Sequence, residues 1–194
     1  GLPHEVLDGP AASRRFPAFQ FDDSVLAFHA ERNGFLRVGE ATDAMRSAAI
    51  EHGAEVVEGT RVESIEPVGS GLRLATSAGT LEAGRVVVTA GPWIGRLLED
   101  LSLPLVVTRE QKVHFTVDRP DRFAPSAFPI FCEYDTRNYG FPTLDGRTIK
   151  VAADHVGDVV DPDVVDREVD RKYVETMAGW LNRWLPGCVQ HAES

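Results

Sequence analysis

The spacing of apolar residues changes from a helical period to a strand period early in the chain. Residues 40–52 are predicted to form an amphipathic helix, because apolar residues recur there every three or four positions. This apolar stripe consists of Ala41, Ala44, Met45, Ala48 and Ala49. Gly53 suits the helix end, since glycine tolerates a positive φ, and the Val-rich residues 54–58 are predicted to form a short strand. A helix followed at once by such a strand is typical of parallel αβ structure.

Apolar and polar residues then alternate with a period of two. Residues 62–76, followed by a turn-forming segment at 76–79, predict a small antiparallel meander. Three consecutive valines within residues 85–91 predict a strand that is buried on both faces, as in the interior of a parallel sheet. Pro92 suits the first turn of a short helix, where a missing N–H is tolerated.

The second half of the chain has the pattern of an antiparallel sheet with one covering helix. Residues 106–117 alternate cleanly and predict one long strand. Three further strands are predicted at residues 129–134, 138–141 and 147–153. Asp145 and Gly146 predict the hairpin turn before the last of them, and residues 165–184 predict a closing helix. The apolar stripe of that helix consists of Val165, Val169, Tyr173, Met177, Leu181 and Trp184.

These elements predict an α+β (mixed α/β) fold, with part of a parallel αβ domain followed by a larger antiparallel sheet and its covering helix. The length of 194 residues allows one large domain or two small ones. Lys and Arg number 20 against 30 Asp and Glu, a net charge of −10. Because the chain has no basic cluster, nucleic acid and lipid surfaces are disfavoured as partners. No apolar run is long enough to span a bilayer.

Cysteine and histidine usage disfavours a metal site. Cys132 and Cys188 belong to no C-x-x-C pair, and the six histidines lack ligand spacing. A single long-range disulfide is one interpretation of the two cysteines; two free thiols in a reducing cytosol is the favoured one. Residues 1–10 have neither the basic nor the apolar region of a signal peptide, so the cytoplasm is the predicted location.

Two glycine-containing segments are candidates for ligand-binding backbone. Gly69 and Gly71 form a G-x-G between predicted antiparallel strands, which favours a hairpin turn over a phosphate loop. Ala90 and Gly91 follow the Val-rich strand, where small residues allow a ligand to approach the backbone. Composition alone favours a tight turn there. Lys150 alternates out of phase with its apolar neighbours, so it is either an ordinary surface lysine or a charge lining a ligand cavity.

The order of these segments resembles a known family. Residues 33–66 are followed by VVVTAGPW and then by Tyr139-Gly140-Phe141-Pro142, with Lys150 eight residues after the proline. This order is similar to the middle portion of FAD-dependent amine oxidoreductases of the D-amino-acid oxidase superfamily, and it resembles most the branch of monomeric sarcosine oxidase and N-methyltryptophan oxidase. The resemblance covers nearly the whole chain.

The resemblance implies a division into three segments. Residues 1–35 would belong to the substrate domain, residues 36–105 to a partial FAD-binding domain, and residues 106–194 to the antiparallel substrate domain. The family's N-terminal G-x-G-x-x-G does not occur in this sequence. The chain is therefore expected to be the central part of a longer protein, and to bind FAD weakly or not at all by itself, because the phosphate-binding loop is the main anchor.

The resemblance also implies site residues. It places the cofactor against Arg61, Val62, Ala90, Gly91 and Trp93. Lys150 matches the lysine that promotes reaction of the flavin with oxygen, and Tyr139 matches a tyrosine of the substrate cavity. The family has a histidine four residues after that lysine; this chain has Asp154 there and His155 one position later. His155 is therefore the third catalytic candidate, at a displaced position.

The implied activity is oxidation of the carbon–nitrogen bond of a small N-methyl amino acid or related amine, with oxygen as the electron acceptor. Two alternatives stay open. One is a D-amino-acid, glycine or hydroxy-acid oxidoreductase of the same superfamily, which the Tyr139 to Lys150 motif disfavours. The other is a non-catalytic binding fragment, because half a flavin site performs no chemistry by itself.

Overall fold

The computed structural model describes residues 3–186 and 189–193, so Cys188 and Gly187 lie outside the described residues. Within these residues the four α-helices are α1 (Gly9–Arg15), α2 (Val38–Glu51), α3 (Ile94–Leu97) and α4 (Arg171–Trp184). The strands are β1 (Glu5–Asp8), β2 (Leu26–His29), β3 (Val62–Val68), β4 (Gly71–Thr76), β5 (Gly79–Ala83), β6 (Thr108–Arg109), β7 (Lys112–Val117), β8 (Phe131–Cys132), β9 (Asn138–Phe141), β10 (Thr148–Ala153), β11 (Asp158–Val159) and β12 (Val189–Glu193). The predicted mixture of helices and antiparallel strands is confirmed.

The chain divides into two compact units. The first unit contains residues 1–35, 108–159 and 165–194, and the second contains residues 36–107 and 160–164. The chain thus leaves the first unit twice and returns to it. None of the helices in the described part of the chain is both long and apolar enough to cross a membrane.

The first unit is built on a five-stranded antiparallel sheet. Its strand order is β12-β7-β10-β9-β8. One face of this sheet packs against α4, and the buried cluster includes Phe115, Ile149, Val151 and Leu181. These residues occupy alternate strand positions or the apolar stripe of the helix, as the sequence pattern predicts.

The closing helix is shorter than predicted. It begins at Arg171 rather than near residue 165. The carboxylate of Asp170 accepts hydrogen bonds from the backbone N–H groups of Lys172 and Tyr173, at 2.6 and 3.3 Å. This N-cap fixes the helix start, because it satisfies donors that have no partner within the helix. Val169 packs against the core from the segment before the helix.

The prediction of one long strand over residues 106–117 is wrong in one respect, because the segment is divided into β6 and β7. β6 pairs with β11, whereas β7 pairs with β10 and β12. Between them, the side chain of Glu110 accepts hydrogen bonds from the backbone N–H groups of Val156 and Gly157, at 3.4 and 3.3 Å. These bonds connect the break to the segment before β11. A period-two pattern cannot show which strand each half pairs with.

The second unit contains the predicted meander, an antiparallel sheet of β3, β4 and β5. It also contains α2, which ends as predicted, with Gly53 at a φ of +88°. The predicted strands at 54–58 and within 85–91 are wrong, since both segments are irregular. Val87, which was expected to be buried, is 87% exposed. A strand forms only when a neighbour accepts its hydrogen bonds, and no strand of the described residues pairs with either segment.

The hairpin turn before β10 is held by one side chain, Asp145. Its carboxylate accepts hydrogen bonds from the backbone N–H groups of Arg147 and Thr148, both at 2.8 Å. It also accepts from the hydroxyls of Thr148 and Thr143, at 2.7 and 2.9 Å. Partial burial alone would raise the pKa of Asp145, but the hydrogen bonds from Thr148 and Arg147 outweigh it and hold the pKa well below its usual range.

Asp145→Ala is expected to lower the free energy of unfolding by about 1–2 kcal/mol at neutral pH, a value reduced for the exposure of the turn. The pKa of Asp145 is lower in the folded state, so its stabilisation is complete above its unfolded pKa of about 3.9. It is lost as the pH falls below that value toward the folded pKa. Thermal unfolding from pH 7 to pH 3 measures this. Asp145→Asn keeps an acceptor oxygen and should lose less, without the pH dependence. An equal stability difference between wild type and Asp145→Ala at both ends of the range would contradict the assignment.

Candidate functional sites

The five residues expected to contact a cofactor line one cleft in the second unit. The cleft has a volume of about 1000 Å³, at the upper end of the range for small-molecule sites. The predicted residues on its wall are Arg61, Val62, Ala90, Gly91 and Trp93. Although they are 30 residues apart in sequence, the meander and the segment after residue 85 bring them together.

The backbone at Gly91 gives the cleft its small-residue wall. Gly91 has a φ of +54°, a conformation that residues with a side chain rarely adopt. Gly91 is the first residue of a short 3-10 helix, Gly91–Trp93, which continues into α3. Ala90 and Gly91 therefore form a tight turn and also line a cleft, so the two interpretations left open by the sequence are compatible.

Trp93 is held by an acidic segment whose contact with it the sequence did not predict. The indole Nε1–H of Trp93 donates a hydrogen bond to Asp163 Oδ1 at 2.7 Å. Arg96 pairs with the same carboxylate and also with Asp161, at 2.6 Å from Asp161 Oδ2. The hydrogen bond that the Arg96 guanidinium donates to Asp161 raises the pKa of Arg96. The acidic run 158–163 was visible in the sequence, but its partners 65 or more residues away were not.

The cleft combines three kinds of surface. Arg61 supplies positive charge, Trp93 supplies an aromatic ring, and the side chains of Ile65 and Leu74 are apolar, whereas the charge of Arg96 is balanced by Asp161 and Asp163. Such a wall suits a ligand that carries both a flat ring system and anionic groups. The residues present therefore fit part of a dinucleotide cofactor.

The second group of candidate residues lies on the sheet of the first unit. In the antiparallel register, Tyr139 stands opposite Ala152 and Lys150 stands opposite Phe141. Directly opposite residues of such a pair lie on one face, so Tyr139 and Lys150 share a face, as predicted. We call this the lysine face: Lys112 and His114 on β7, Tyr139 and Phe141 on β9, and Lys150 and Ala152 on β10. It is opposite to the face that packs against α4.

Lys150 is not an ordinary solvated lysine. Its side chain is partly buried, and this burial lowers its pKa; the neighbouring charge of Lys112 lowers it further. Its ammonium nitrogen Nζ lies 4.0 Å from the centroid of the Phe141 ring. The lysine face therefore holds a partly desolvated positive charge at a fixed place.

Tyr139 adjoins a separate cavity on the same sheet. The cavity has a volume of about 710 Å³ and is lined by Cys132, Tyr134, Asp135, Arg137, Tyr139 and Asp154. Burial raises the pKa of Tyr139, and the negative charges of Asp154 and Glu110 raise it further. The phenol is consequently a neutral hydrogen-bond donor at physiological pH. Asp154, which replaces the expected histidine, lies on the wall of this cavity.

His155 is placed differently from the other two catalytic candidates. It follows β10 in a turn with a φ of +57°. Its side chain is 77% exposed, and its Nε2 lies 3.3 Å from Asp154 Oδ2. The structure thus brings Tyr139 and Lys150 onto one face and leaves His155 in an exposed turn. Among the described residues, no group of three or more His, Cys, Asp or Glu side chains could hold a metal ion.

Comparison with protein-family models gives one match over the whole chain. Residues 1–194 match the family described as FAD dependent oxidoreductase, DAO. Monomeric sarcosine oxidase of Streptomyces avermitilis is 32% identical over 191 residues, which are 95% of this chain and 50% of that protein. N-methyl-L-tryptophan oxidase of Yersinia pestis is 29% identical, over 96% of this chain and 50% of that protein. The chain spans about half the length of the curated relatives it matches.

Solved structures agree on the fold. NikD, described as an unusual amino acid oxidase essential for nikkomycin biosynthesis, superposes with a TM-score of 0.79 at 24% identity, over 98% of this chain and 52% of that one. Glycine oxidase from Geobacillus kaustophilus superposes with a TM-score of 0.75 at 22% identity, over 99% of this chain and 50% of that one. The family resemblance stated from the sequence is confirmed.

Proposed function

Because this chain belongs to the FAD dependent oxidoreductase family, we propose that the protein oxidises the carbon–nitrogen bond of a small N-methyl amino acid. The observation that carries the proposal is the match of the whole chain to that family, with sarcosine and N-methyltryptophan oxidases among its relatives. The lysine face supports it, because it places the partly buried positive charge of Lys150 on the same face as the phenol of Tyr139.

The residues that would hold FAD are those of the second unit's cleft. Arg61 offers a positive charge to a phosphate or ring oxygen, and Trp93 offers an indole surface. Because Gly91 has no side chain, a ligand can approach the backbone of the cleft at this position. Asp163 would keep the Trp93 indole in one orientation through its hydrogen bond. When bound, the flavin supplies the redox chemistry by taking two electrons and a proton equivalent from the carbon next to the amine nitrogen.

Tyr139 and Lys150 would act on the substrate and on oxygen. The neutral phenol of Tyr139 can donate a hydrogen bond to a substrate carboxylate, which orients the amine. The ammonium of Lys150 can stabilise the negative charge that develops when oxygen accepts electrons. His155 has the least support of the three proposed catalytic residues, because its exposed ring already faces Asp154.

The proposal is tested with the full-length protein in the absence of oxygen. Sarcosine or an N-methyl amino acid is expected to bleach the flavin absorbance, whereas glycine, D-proline and a hydroxy acid should bleach it slowly or not at all. Faster bleaching by glycine or a hydroxy acid would support the alternative of a glycine or hydroxy-acid oxidoreductase of the same superfamily. The 194-residue chain alone is expected to bind FAD weakly. It is therefore the control that measures how much flavin stays with the protein through nonspecific binding.

The proposed location is the cytoplasm, and oxygen is the proposed electron acceptor. Cys132 has a free, exposed thiol, and such thiols persist mainly in reducing compartments. Cell fractionation of the full-length protein with an antibody against this chain would test the location.

A further inference from the structure

The contact between Lys150 and Phe141 is a defined cation–π geometry. The ammonium nitrogen lies 4.0 Å from the ring centroid, within the distance of about 6 Å at which a ring face attracts a cation. The two residues stand opposite each other on β10 and β9. The backbone register therefore places this pair, and the contact does not depend on a flexible loop.

The Phe141 ring is itself fixed by two other rings. The Tyr139 ring meets it edge to face, with centroids 5.9 Å apart and an angle of 83° between the planes. The Phe35 ring meets it in the same way, at 5.8 Å and 89°. Edge-to-face pairs of this kind are favourable arrangements of aromatic quadrupoles. We call Phe35, Phe141 and Tyr139 the aromatic row.

The surroundings of Lys150 otherwise disfavour its positive charge. Lys112 and His114 face it from β7, and Tyr139 shares its face on β9. Partial burial and Lys112 both lower its pKa. In the part of the chain that the structure describes, no carboxylate forms an ion pair with Lys150. Among the contacts described for Lys150, the ring face of Phe141 is the one that favours the charged form.

We propose that Phe141 is a positioning residue for Lys150: its ring face holds the ammonium at one place on the lysine face and preserves its positive charge there. The consequence of this role for the reaction with oxygen rests on the proposed function. The effect of Phe141 on the position and charge of Lys150 does not. Phe141 is not proposed to touch a substrate. It acts through the lysine.

The charge of Lys150 can be measured without any turnover. Trace labelling with acetic anhydride at a series of pH values, followed by mass spectrometry of the Lys150 peptide, gives the pKa of this amine in the full-length protein. Replacing Phe141 by pentafluorophenylalanine keeps the ring shape and reverses its quadrupole. The expected result is a downward shift of the Lys150 pKa by about half to one unit. Phe141→Leu should shift it in the same direction, and Phe141→Tyr should leave it close to wild type.

Phe35→Leu is the matched control, because it removes one aromatic neighbour of Phe141 without touching Lys150. Its shift should be smaller than half of that in Phe141→Leu. An unchanged labelling pKa in the pentafluorophenylalanine protein would overturn the proposal, since that replacement leaves packing intact. A uniform shift in all variants, Phe141→Tyr included, would also overturn it, because it would indicate altered burial.

The consequence for the reaction with oxygen is measured separately. In Phe141→Leu, the rate of reoxidation by oxygen should fall at a lower pH than in the wild type. The pKa of this pH profile should shift by the same amount as the Lys150 pKa measured by labelling. If the labelling shift appears and the protein oxidises no amine, the positioning role stands and the proposed function fails. If amines are oxidised and the labelling pKa does not move, the positioning role fails alone.

Discussion

Lys150→Met in the full-length protein is expected to slow reoxidation by oxygen about a hundredfold or more, while reduction by the amine substrate changes little. The substitution keeps most of the side-chain length and removes the charge. A positive charge that is fixed before oxygen arrives stabilises the developing negative charge by roughly a few kcal/mol, and each 1.4 kcal/mol is about a tenfold change in rate. Stopped-flow measurement of the two half-reactions separates the effects.

Lys112→Met is the matched control for this experiment. Lys112 lies on the same face, diagonally across from Lys150, and its side chain is exposed. Its removal eliminates an equal charge and relieves the repulsion that lowers the pKa of Lys150. Reoxidation should therefore change less than threefold. Equal slowing in Lys150→Met and Lys112→Met would attribute the effect to the overall electrostatic potential of the lysine face. Unchanged rates in Lys150→Met would exclude the role of Lys150 in the reaction with oxygen.

Gly140→Ala is expected to destabilise the protein by about 2–3 kcal/mol, because no space exists for a methyl group. An added Cβ would lie 2.4 Å from Cζ of Phe131 and 3.0 Å from a methyl of Val151. The Phe131 ring cannot easily turn away, since it stacks on Trp180 and meets Phe19 edge to face. For a protein of this size the expected loss in melting temperature is roughly 4–12 °C.

Gly179→Ala is the matched control for Gly140→Ala. Gly179 lies on the exposed side of α4, and nothing lies within 4 Å of an added Cβ. Alanine in a helix interior is more stable than glycine by about 0.5–1 kcal/mol. The two glycines should therefore respond with opposite signs in a thermal unfolding measurement. A neutral Gly140→Ala would show that β8 can move away from β9.

Periodicity predicted those elements whose stability depends on their own pattern. The meander of β3 to β5, the strands β9 and β10 and the apolar stripe of α4 follow from alternation and helical spacing. The stripe of α2 was also predicted, yet no residue of that helix is buried. Its pattern predicts that one face is packed, but the described residues do not bury that face.

Periodicity failed where a strand depends on a distant partner. Residues 54–58 and the valines of 85–91 have strand composition, but their hydrogen bonds need neighbours that the described chain does not supply. The division of residues 106–117 depends on Glu110, which bonds to the backbone of residues about 46 positions away. Contacts at this sequence distance leave no local pattern.

The sequence by itself determined the family, the mixed fold and the shared face of Tyr139 and Lys150, because a short hairpin with a fixed turn sets the register of its two strands. Only the tertiary structure decided how the candidate residues are grouped. It joined residues 61–62 with 90–93 in one cleft, clamped Trp93 with Asp163, and placed Phe141 beneath the Lys150 ammonium while leaving His155 in solvent. These relations depend on three-dimensional distance between side chains, which spacing along the chain does not encode.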